Sequence, residues 1–255
     1  MFRSSCDFVR SPMTAATGRS TTLDGVIKRV ANFPRDSFHL GLMLALTFST
    51  GVIDAVGYLG LDRVFTGNMT GNIVILGMAL VGAEDLPVLG PLLALAGFMA
   101  GAALGGRVLK RAAPGWTRRT TVLLSIVAGV MLVVGIFLFF VEQDLSHSLT
   151  VSITTVLGAA MGIQASTARF IAVKDVTTVV VTSTITGLAA DSVLGSGNGG
   201  GSARRISAVL LILAGAAAGA GLLSWRLGAG LILSAVITLV VTVLGAVHAR
   251  HHSPT

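Results

Sequence analysis

The chain has 255 residues, of which 53% are hydrophobic and only 11% are charged. Ordinary soluble domains carry about 25% charged residues, so this composition excludes a soluble globular protein and indicates an all-α polytopic membrane protein. The formal net charge of +7 is typical of cytoplasmic loops in a membrane protein. We therefore expect the lipid bilayer, and not nucleic acid, as a partner.

Residues 1–36 are polar and basic, and they predict a disordered cytoplasmic tail ahead of a single membrane domain over residues 37–250. Two apolar stretches in that domain, Phe65–Val81 and Val176–Ala190, begin with polar residues and favour re-entrant half-helices. Six others are long enough to cross a bilayer, which takes about 17–25 residues. They are Phe38–Leu61, Val88–Leu109, Thr121–Val141, Leu149–Val173, Ile206–Ser224 and Leu227–Ala249.

The distribution of Lys and Arg favours six crossings with both termini in the cytoplasm. In that topology 16 of the 18 basic residues lie inside, and only Arg63 and Arg226 lie outside. Eight crossings would place nine basic residues on each side. Because basic residues concentrate in cytoplasmic loops, we expect a multi-pass protein of the bacterial inner membrane with six crossings and two half-helices.

An internal repeat is indicated by motifs that recur in the same order. The pattern Thr-x-x-x-Thr-Gly occupies positions 66–71 and 182–187, an offset of 116 residues. Upstream, Gly51 to Asp54 corresponds to Gly162 to Ala165 at an offset of 111 residues. Three crossings in each half give the halves opposite orientations, so we predict a two-fold inverted repeat over residues 41–141 and 150–249.

Asp54 is the first candidate site residue, because a carboxylate within a membrane-spanning helix is costly unless it is protonated, paired or hydrated. One interpretation is a proton or cation site that lines a cavity. The other is a buried carboxylate that caps the first half-helix. Nearby, Asn68, Thr70 and Asn72 either line a solute site or serve as N-caps.

The second half offers a matching cluster, Thr182, Thr184 and Thr186, whose hydroxyl groups either face a solute or bond back to helix carbonyls. Gln164 lies on the fourth crossing with Arg169, which either extends to the membrane surface or pairs with Asp54. We expect the glycines to open the backbone at Gly67, Gly71 and Gly187. The substrate-binding set predicted from these patterns is Asp54, Asn68, Thr70, Asn72, Gln164, Thr182, Thr184 and Thr186.

The histidines and the one cysteine do not have the spacing of a metal site, and no nucleophile–base motif is present. We therefore expect no metal, no cofactor and no enzymatic activity. Both a monomer and a homo-oligomer fit these patterns.

Several segments carry a resemblance to a known family. In the first half they are Gly51-Val-Ile-Asp54-Ala, Val64-Phe65 and Asn68-Met-Thr70-Gly71-Asn72. In the second half they are Gly162-Ile-Gln164-Ala165 and the run from Thr177-Thr178 through Thr186-Gly187. Together they resemble the YoaK-like family of bacterial multi-pass membrane proteins of unknown function. The resemblance covers residues 37–250 and implies about six crossings, but it implies no substrate. Ala165 stands where we expect many relatives to carry Asn.

The interpretation favoured by these patterns is a small-solute transporter or channel-like protein, with transport linked to protons or cations through Asp54. The alternative is a non-transporting membrane scaffold or assembly protein whose polar clusters hold helices together. A hydrated cavity that reaches Asp54 would favour the first, and a dry, tightly paired carboxylate would favour the second.

Overall fold

The computed structural model describes residues 34–83, 85–141, 145–171, 181–192, 197 and 201–252. Within these residues the chain forms eight α-helices and no β-strand. The helices are α1 (Arg35–Gly60), α2 (Met69–Leu80), α3 (Leu89–Leu109), α4 (Arg118–Phe140), α5 (His147–Ile171), α6 (Val181–Ala190), α7 (Ser202–Leu223) and α8 (Ala229–His252).

Six of the described helices, all except α2 and α6, are long and apolar enough to cross a membrane. The shortest of the six, α3, has 21 residues, and about 20 residues span the hydrocarbon core. Helices α2 and α6 have only 12 and 10 residues. The predicted all-α fold of six spans and two short helices is therefore confirmed.

The helix ends follow local sequence signals. Helix α1 begins at Arg35 after Pro34, two residues inside the segment predicted as a tail, while residues 1–33 lie outside the described part. Helix α2 begins after Asn68, whose side chain accepts the backbone N–H of Gly71. Helix α4 begins with a reciprocal capping box between Thr117 and Thr120, which satisfies two N–H groups that a helix start leaves unpaired.

Helices α1 and α5 form the centre of the molecule. Of the most apolar 18 residues of each helix, 67% are buried in α1 and 61% in α5, but only 17% in α7. The outer helices therefore present their apolar faces to the surroundings, as expected of helices in contact with lipid.

Two helix pairs pack with their backbones in contact, α1 with α7 and α3 with α5. A Cβ atom added to Gly51 would overlap the carbonyl oxygen of Ile212, and one added to Gly215 would overlap that of Phe48. Small residues allow this close approach, which supplies the van der Waals contact that holds helices together in lipid.

The same contacts recur in the second pair. A Cβ atom on Gly162 would overlap the carbonyl oxygen of Phe98, and one on Gly101 would overlap that of Ala159. Gly162 on α5 corresponds to Gly51 on α1 at an offset of 111 residues, and Ile212 on α7 corresponds to Phe98 on α3 at an offset of 114 residues. The α3–α5 contact therefore joins the positions that correspond to those of the α1–α7 contact.

Contacts along these pairs show that both run in parallel. Gly215 meets the backbone of Phe48 and Gly219 meets that of Val52, so residue numbers rise together on α1 and α7. On α3 and α5, Gly101 meets Ala159, and Gly97, one turn earlier, meets Thr155.

Three other pairs are antiparallel. Helices α1 and α5 touch through Thr50 and Gln164 and again near Asp62 and His147. Helices α1 and α8 are joined by ring stacking at one end and by two serines near the middle: Phe38 with His248, and Ser49 with Ser234. Helices α4 and α8 meet at two points: Gly135 with Ile232, and Phe139 with Gly228.

It follows that α1, α4 and α7 run in one direction and α3, α5 and α8 run in the other. Six successive crossings produce this alternation, with α2 and α6 each starting and ending on one side. If all eight helices crossed, α4 and α8 would be parallel, which their contacts contradict.

Candidate functional site

Asp54 on α1 binds the start of the first half-helix. Its Oδ1 atom accepts the backbone N–H groups of Thr66 at 3.1 Å, Gly67 at 2.7 Å and Asn68 at 3.4 Å. The Thr66 hydroxyl group donates to the same atom at 3.4 Å. These donors lie in the α1–α2 loop, residues 61–68, just before α2. Successive N–H groups in a turn form a concave anion site, and here the chain's own carboxylate fills it.

The contacts of Asp54 match the capping interpretation, but they use only half of the carboxylate. All four hydrogen bonds fall on Oδ1, and Oδ2 has no donor among the described residues. Asp54 is partly buried and keeps some accessible surface. Asp54 therefore has both a structural contact and a free oxygen.

Asn72 fixes the α1–α2 loop from the other side. Its Nδ2 group donates to the carbonyl oxygen of Phe65 at 2.6 Å, and its Oδ1 atom accepts the Phe65 N–H at 2.9 Å. The side chain is buried, so it replaces the partners that an unwound backbone would otherwise lack at this depth. A Cβ atom on Gly71 would lie 2.7 Å from the ring of Phe65.

The other predicted residues of this loop are less enclosed. Asn68 is exposed, and its Oδ1 atom accepts the Gly71 N–H at 3.2 Å as an N-cap. Thr70 is exposed on α2 and makes no hydrogen bond within the described chain through its side chain. Gly67 permits the tight approach of the loop, because a Cβ atom there would lie 3.1 Å from both Thr50 and Met161.

Gln164 lies at the crossing of α1 and α5 and is fully buried. Its Nε2 group donates to the hydroxyl oxygen of Thr50 at 3.4 Å, and the Thr50 hydroxyl donates to the carbonyl oxygen of Leu46 at 2.9 Å. The Oε1 atom of Gln164 has no hydrogen-bond partner in the described chain.

Sequence patterns alone did not select Thr50 as a site residue. The available signal was its spacing, since Thr50 and Asp54 are four residues apart and lie on one face of α1. We call Thr50, Asp54 and Gln164 the central cluster. These three residues come together where α1, α5 and the α1–α2 loop meet.

The second half is built differently at the corresponding place. Residues 172–180, which include the start of the predicted half-helix Val176–Ala190, lie outside the described part, and α6 is already helical at Val181, whereas the repeat offset of 116 would place the counterpart of the α2 start at position 185. Ala165 occupies the position that corresponds to Asp54 and offers no carboxylate to collect free N–H groups. Thr182, Thr184 and Thr186 are helical here, and not part of a loop.

The three threonines of α6 do not meet the central cluster. Thr182 and Thr186 are exposed and Thr184 is partly buried. Among the described helices α6 packs only against α7 and does not reach α1 or α2. The expected face opposite Asp54 is therefore not formed by α6, and a role for these threonines in solute binding stays a prediction.

Helix α6 is fastened to α7 by an arginine that sequence patterns did not identify. The Nη1 group of Arg205 donates to the carbonyl oxygen of Gly187 at 2.7 Å and to Oδ2 of Asp191 at 2.5 Å. A Cβ atom on Gly187 would lie 2.9 Å from the guanidinium carbon. Gly187 thus makes room for a cation at the end of α6, where the helix dipole favours positive charge.

Arg169 is exposed near the end of α5, and no ion pair joins it to Asp54 in the part of the chain that the structure describes. Its position fits the interpretation in which its side chain extends to the membrane surface. The described residues contain no group of three or more His, Cys, Asp or Glu side chains able to hold a metal ion.

Comparison with known proteins gives a family but no activity. A family model described as "Protein of unknown function (DUF1275)" matches residues 42–244. The UPF0700 transmembrane protein YoaK of Bacillus subtilis (strain 168) is 31% identical over 151 residues, which are 59% of this chain and 65% of YoaK. The match thus spans just under two thirds of that relative. No solved structure matches the chain.

Proposed function

The chain belongs to the DUF1275 family of membrane proteins of unknown function, and we propose that it is a small-solute transporter or channel-like protein. The observation that carries this proposal is the central cluster, which puts three polar side chains where two oppositely directed spans cross. Polar residues buried within membrane spans are costly and most often mark the path of a solute or ion.

The proposal includes an inverted repeat, residues 41–141 and 150–249. Three helix pairs correspond between the halves: α1 with α5, α3 with α7, and α4 with α8. In each pair the two helices run in opposite directions. The matched glycine contacts of α1–α7 and α3–α5 also support this relationship. Inverted halves with a site at their interface and broken helices beside it are common among secondary transporters.

In this proposal the solute site lies beside the α1–α2 loop. Asp54 and Gln164 supply free oxygen atoms, Asn68 lies at the loop's exposed side, and Asn72 holds the loop open. Unwound backbone at membrane depth is tolerated where protein or a water-filled cavity satisfies it. Asp54 would link transport to protons or cations, because its Oδ2 atom is not used by the loop.

The second candidate is a non-transporting membrane scaffold, and a specific observation favours it. Four donors converge on Oδ1 of Asp54, and Asn72 makes two hydrogen bonds to Phe65. These contacts fasten α1 to the loop without any solute. The two candidates assign different roles to Oδ2 of Asp54. A scaffold needs only Oδ1, which accepts the loop N–H groups, whereas a transporter would also use Oδ2 to bind a proton or cation.

We further propose that the protein lies in the bacterial inner membrane with both termini in the cytoplasm. In the described chain, five exposed basic residues lie at or near the α3–α4 connection: Arg107, Lys110, Arg111, Arg118 and Arg119. The helix directions place this connection on the same side as the start of α1 and the end of α8. Concentration of basic residues on one side supports a cytoplasmic location for that side.

Transport is tested in two steps. A deletion strain is screened for altered growth and uptake across many solutes, and each solute that responds is then tested with the purified protein in proteoliposomes. We expect at least one solute to enter proteoliposomes faster than protein-free liposomes. If no responding solute enters faster, the scaffold candidate is favoured.

A further inference from the structure

We propose that the central cluster binds a monovalent cation between Oδ2 of Asp54 and Oε1 of Gln164, beside the hydroxyl group of Thr50. This inference rests on the proposed function and deepens it by naming the class of ligand that couples to transport. It starts from two oxygen atoms whose hydrogen-bonding capacity the described chain leaves unused.

The first oxygen is Oε1 of Gln164. The residue has no accessible surface, and its Nε2 group is already engaged with Thr50. Thr50 cannot donate to Oε1, because its own hydrogen is directed to the carbonyl oxygen of Leu46. A buried acceptor without a donor is destabilising, so such atoms are usually satisfied by water or by a ligand.

The second oxygen is Oδ2 of Asp54. The four donors on Oδ1 are neutral groups, so they stabilise the carboxylate without cancelling its charge. No Lys, Arg or His forms an ion pair with Asp54 among the residues that the structure describes. A charge within a membrane span is usually paired, which leaves a role for a positive ligand.

The side chains that carry these two oxygens are linked through Thr50. Thr50 and Asp54 are one helical turn apart, and both border the point that a Cβ atom on Gly67 would occupy. Thr50 Cγ2 lies 3.1 Å from that point and Asp54 Oδ1 lies 3.4 Å from it. Gln164 touches Thr50 from the facing helix. Three oxygen-bearing side chains thus meet between α1, α5 and the α1–α2 loop.

The chemistry of the ligand follows from these groups. Carboxylate, amide and hydroxyl oxygens are hard ligands that suit hard cations. A single carboxylate balances one positive charge, whereas Ca²⁺ sites usually collect several carboxylates and six to eight oxygens. Water could satisfy Oε1 of Gln164 but would leave the charge of Asp54 uncompensated. A monovalent cation satisfies both requirements.

The test measures thermal unfolding of the purified full-length protein in detergent, with NaCl, KCl or LiCl replacing choline chloride at constant ionic strength and pH. We expect at least one of these cations to raise the Tm saturably, by ~5 °C, because a ligand that binds only the folded state stabilises it. Two variants should lose this response, Asp54→Asn and Gln164→Met.

The Asp54→Asn change is selective, because the amide oxygen can still accept the loop N–H groups while the amide nitrogen replaces Oδ2 with a donor. The matched control is Thr154→Val, which removes a buried hydroxyl group of α5 that bonds to Val151 outside the cluster. The control should respond to cations like the wild type. Binding of ²²Na⁺ to the wild-type protein, with competition by unlabelled cations, provides a second measurement that needs no variant.

The proposal is overturned if no cation changes the wild-type Tm relative to choline and no ²²Na⁺ binds. It is also overturned if both cluster variants respond like the wild type. A Tm that responds to pH but to none of the cations assigns a proton to Asp54 and overturns the cation site. Cation binding without uptake of any solute would contradict only the transporter proposal. Uptake that is indifferent to the cation would contradict only this inference.

Discussion

The Oδ1 atom of Asp54 lies 2.7 Å from the backbone nitrogen of Gly67. This contact joins the second half of the membrane-spanning helix α1 to the loop that follows it. The Thr66 and Asn68 N–H groups share the same acceptor, so one carboxylate oxygen holds the start of α2 in place. The stability of the loop therefore depends on an acceptor oxygen at position 54, which an Asn side chain also supplies.

The first prediction concerns that oxygen. Replacing it with an apolar side chain in Asp54→Leu leaves three backbone N–H groups without their acceptor. Each buried donor left without a partner costs about 1–3 kcal/mol, so with three such donors we expect a loss of at least ~3 kcal/mol in the free energy of unfolding. Thermal unfolding in detergent measures it. A Leu variant as stable as the wild type would show that the loop finds other acceptors.

The second prediction concerns Asn72, which satisfies both backbone groups of Phe65. Asn72→Ala removes two hydrogen bonds in a buried place, and we expect a loss of about 2–4 kcal/mol. Thr70→Ala is the matched control, because Thr70 is exposed two residues away and should change stability by less than about 0.5 kcal/mol. Equal losses of stability in the two variants would show that the hydrogen bonds of Asn72 do not stabilise the loop.

The third prediction concerns helix packing. In Gly101→Ala the new methyl group would overlap the backbone of Ala159, so α3 and α5 must separate, at a cost of about 1–3 kcal/mol. Gly106→Ala, on the same helix, has open space around the new Cβ atom. It should be neutral or stabilising by up to about 1 kcal/mol, since Ala is the better helix former. Thermal unfolding of both variants checks this, and the reverse order of stability would contradict the close backbone contact.

The fourth prediction concerns topology. We expect Gly115 to face the cytoplasm and Asp144, which lies outside the described residues, to face the periplasm, because basic residues surround the first and acidic residues the second. Single cysteines at these positions, in a Cys6→Ser background, are tested with a membrane-impermeant thiol reagent on intact spheroplasts. Only the cysteine at position 144 should react. Labelling of the cysteine at position 115 would show that this position faces the periplasm and would contradict the predicted orientation.

The sequence was informative where structure follows from local pattern. The six apolar stretches of sufficient length correspond to six long apolar helices in the structure, and the polar run before Met69 lies in a loop between two helices. Asn68 acts as an N-cap because its short side chain can reach the N–H groups of the next turn. Asp54 stood out because a carboxylate is rare in an apolar helix.

The contacts between distant segments could not be read from the sequence. The bond between Thr50 and Gln164 joins residues that are 114 positions apart, and it depends on how α1 and α5 cross. The repeated Thr-x-x-x-Thr-Gly pattern suggested similar local structure in both halves. In the structure, however, the threonines of the second pattern lie within helix α6. The role of Arg205 could not be recognised from a pattern, since its partners Gly187 and Asp191 lie on α6 and just after it.

The most direct test of the proposed role of Asp54 compares the wild type with Asp54→Asn in two measurements, uptake of an identified solute into proteoliposomes and thermal stability in detergent. We predict that the Asn variant folds with nearly wild-type stability, because its oxygen can still accept the loop N–H groups. It should no longer transport the solute, because Oδ2 and its charge are gone. Unchanged uptake by a stable Asn variant would remove Asp54 from the mechanism. Uptake and stability lost together would contradict the account and favour the scaffold.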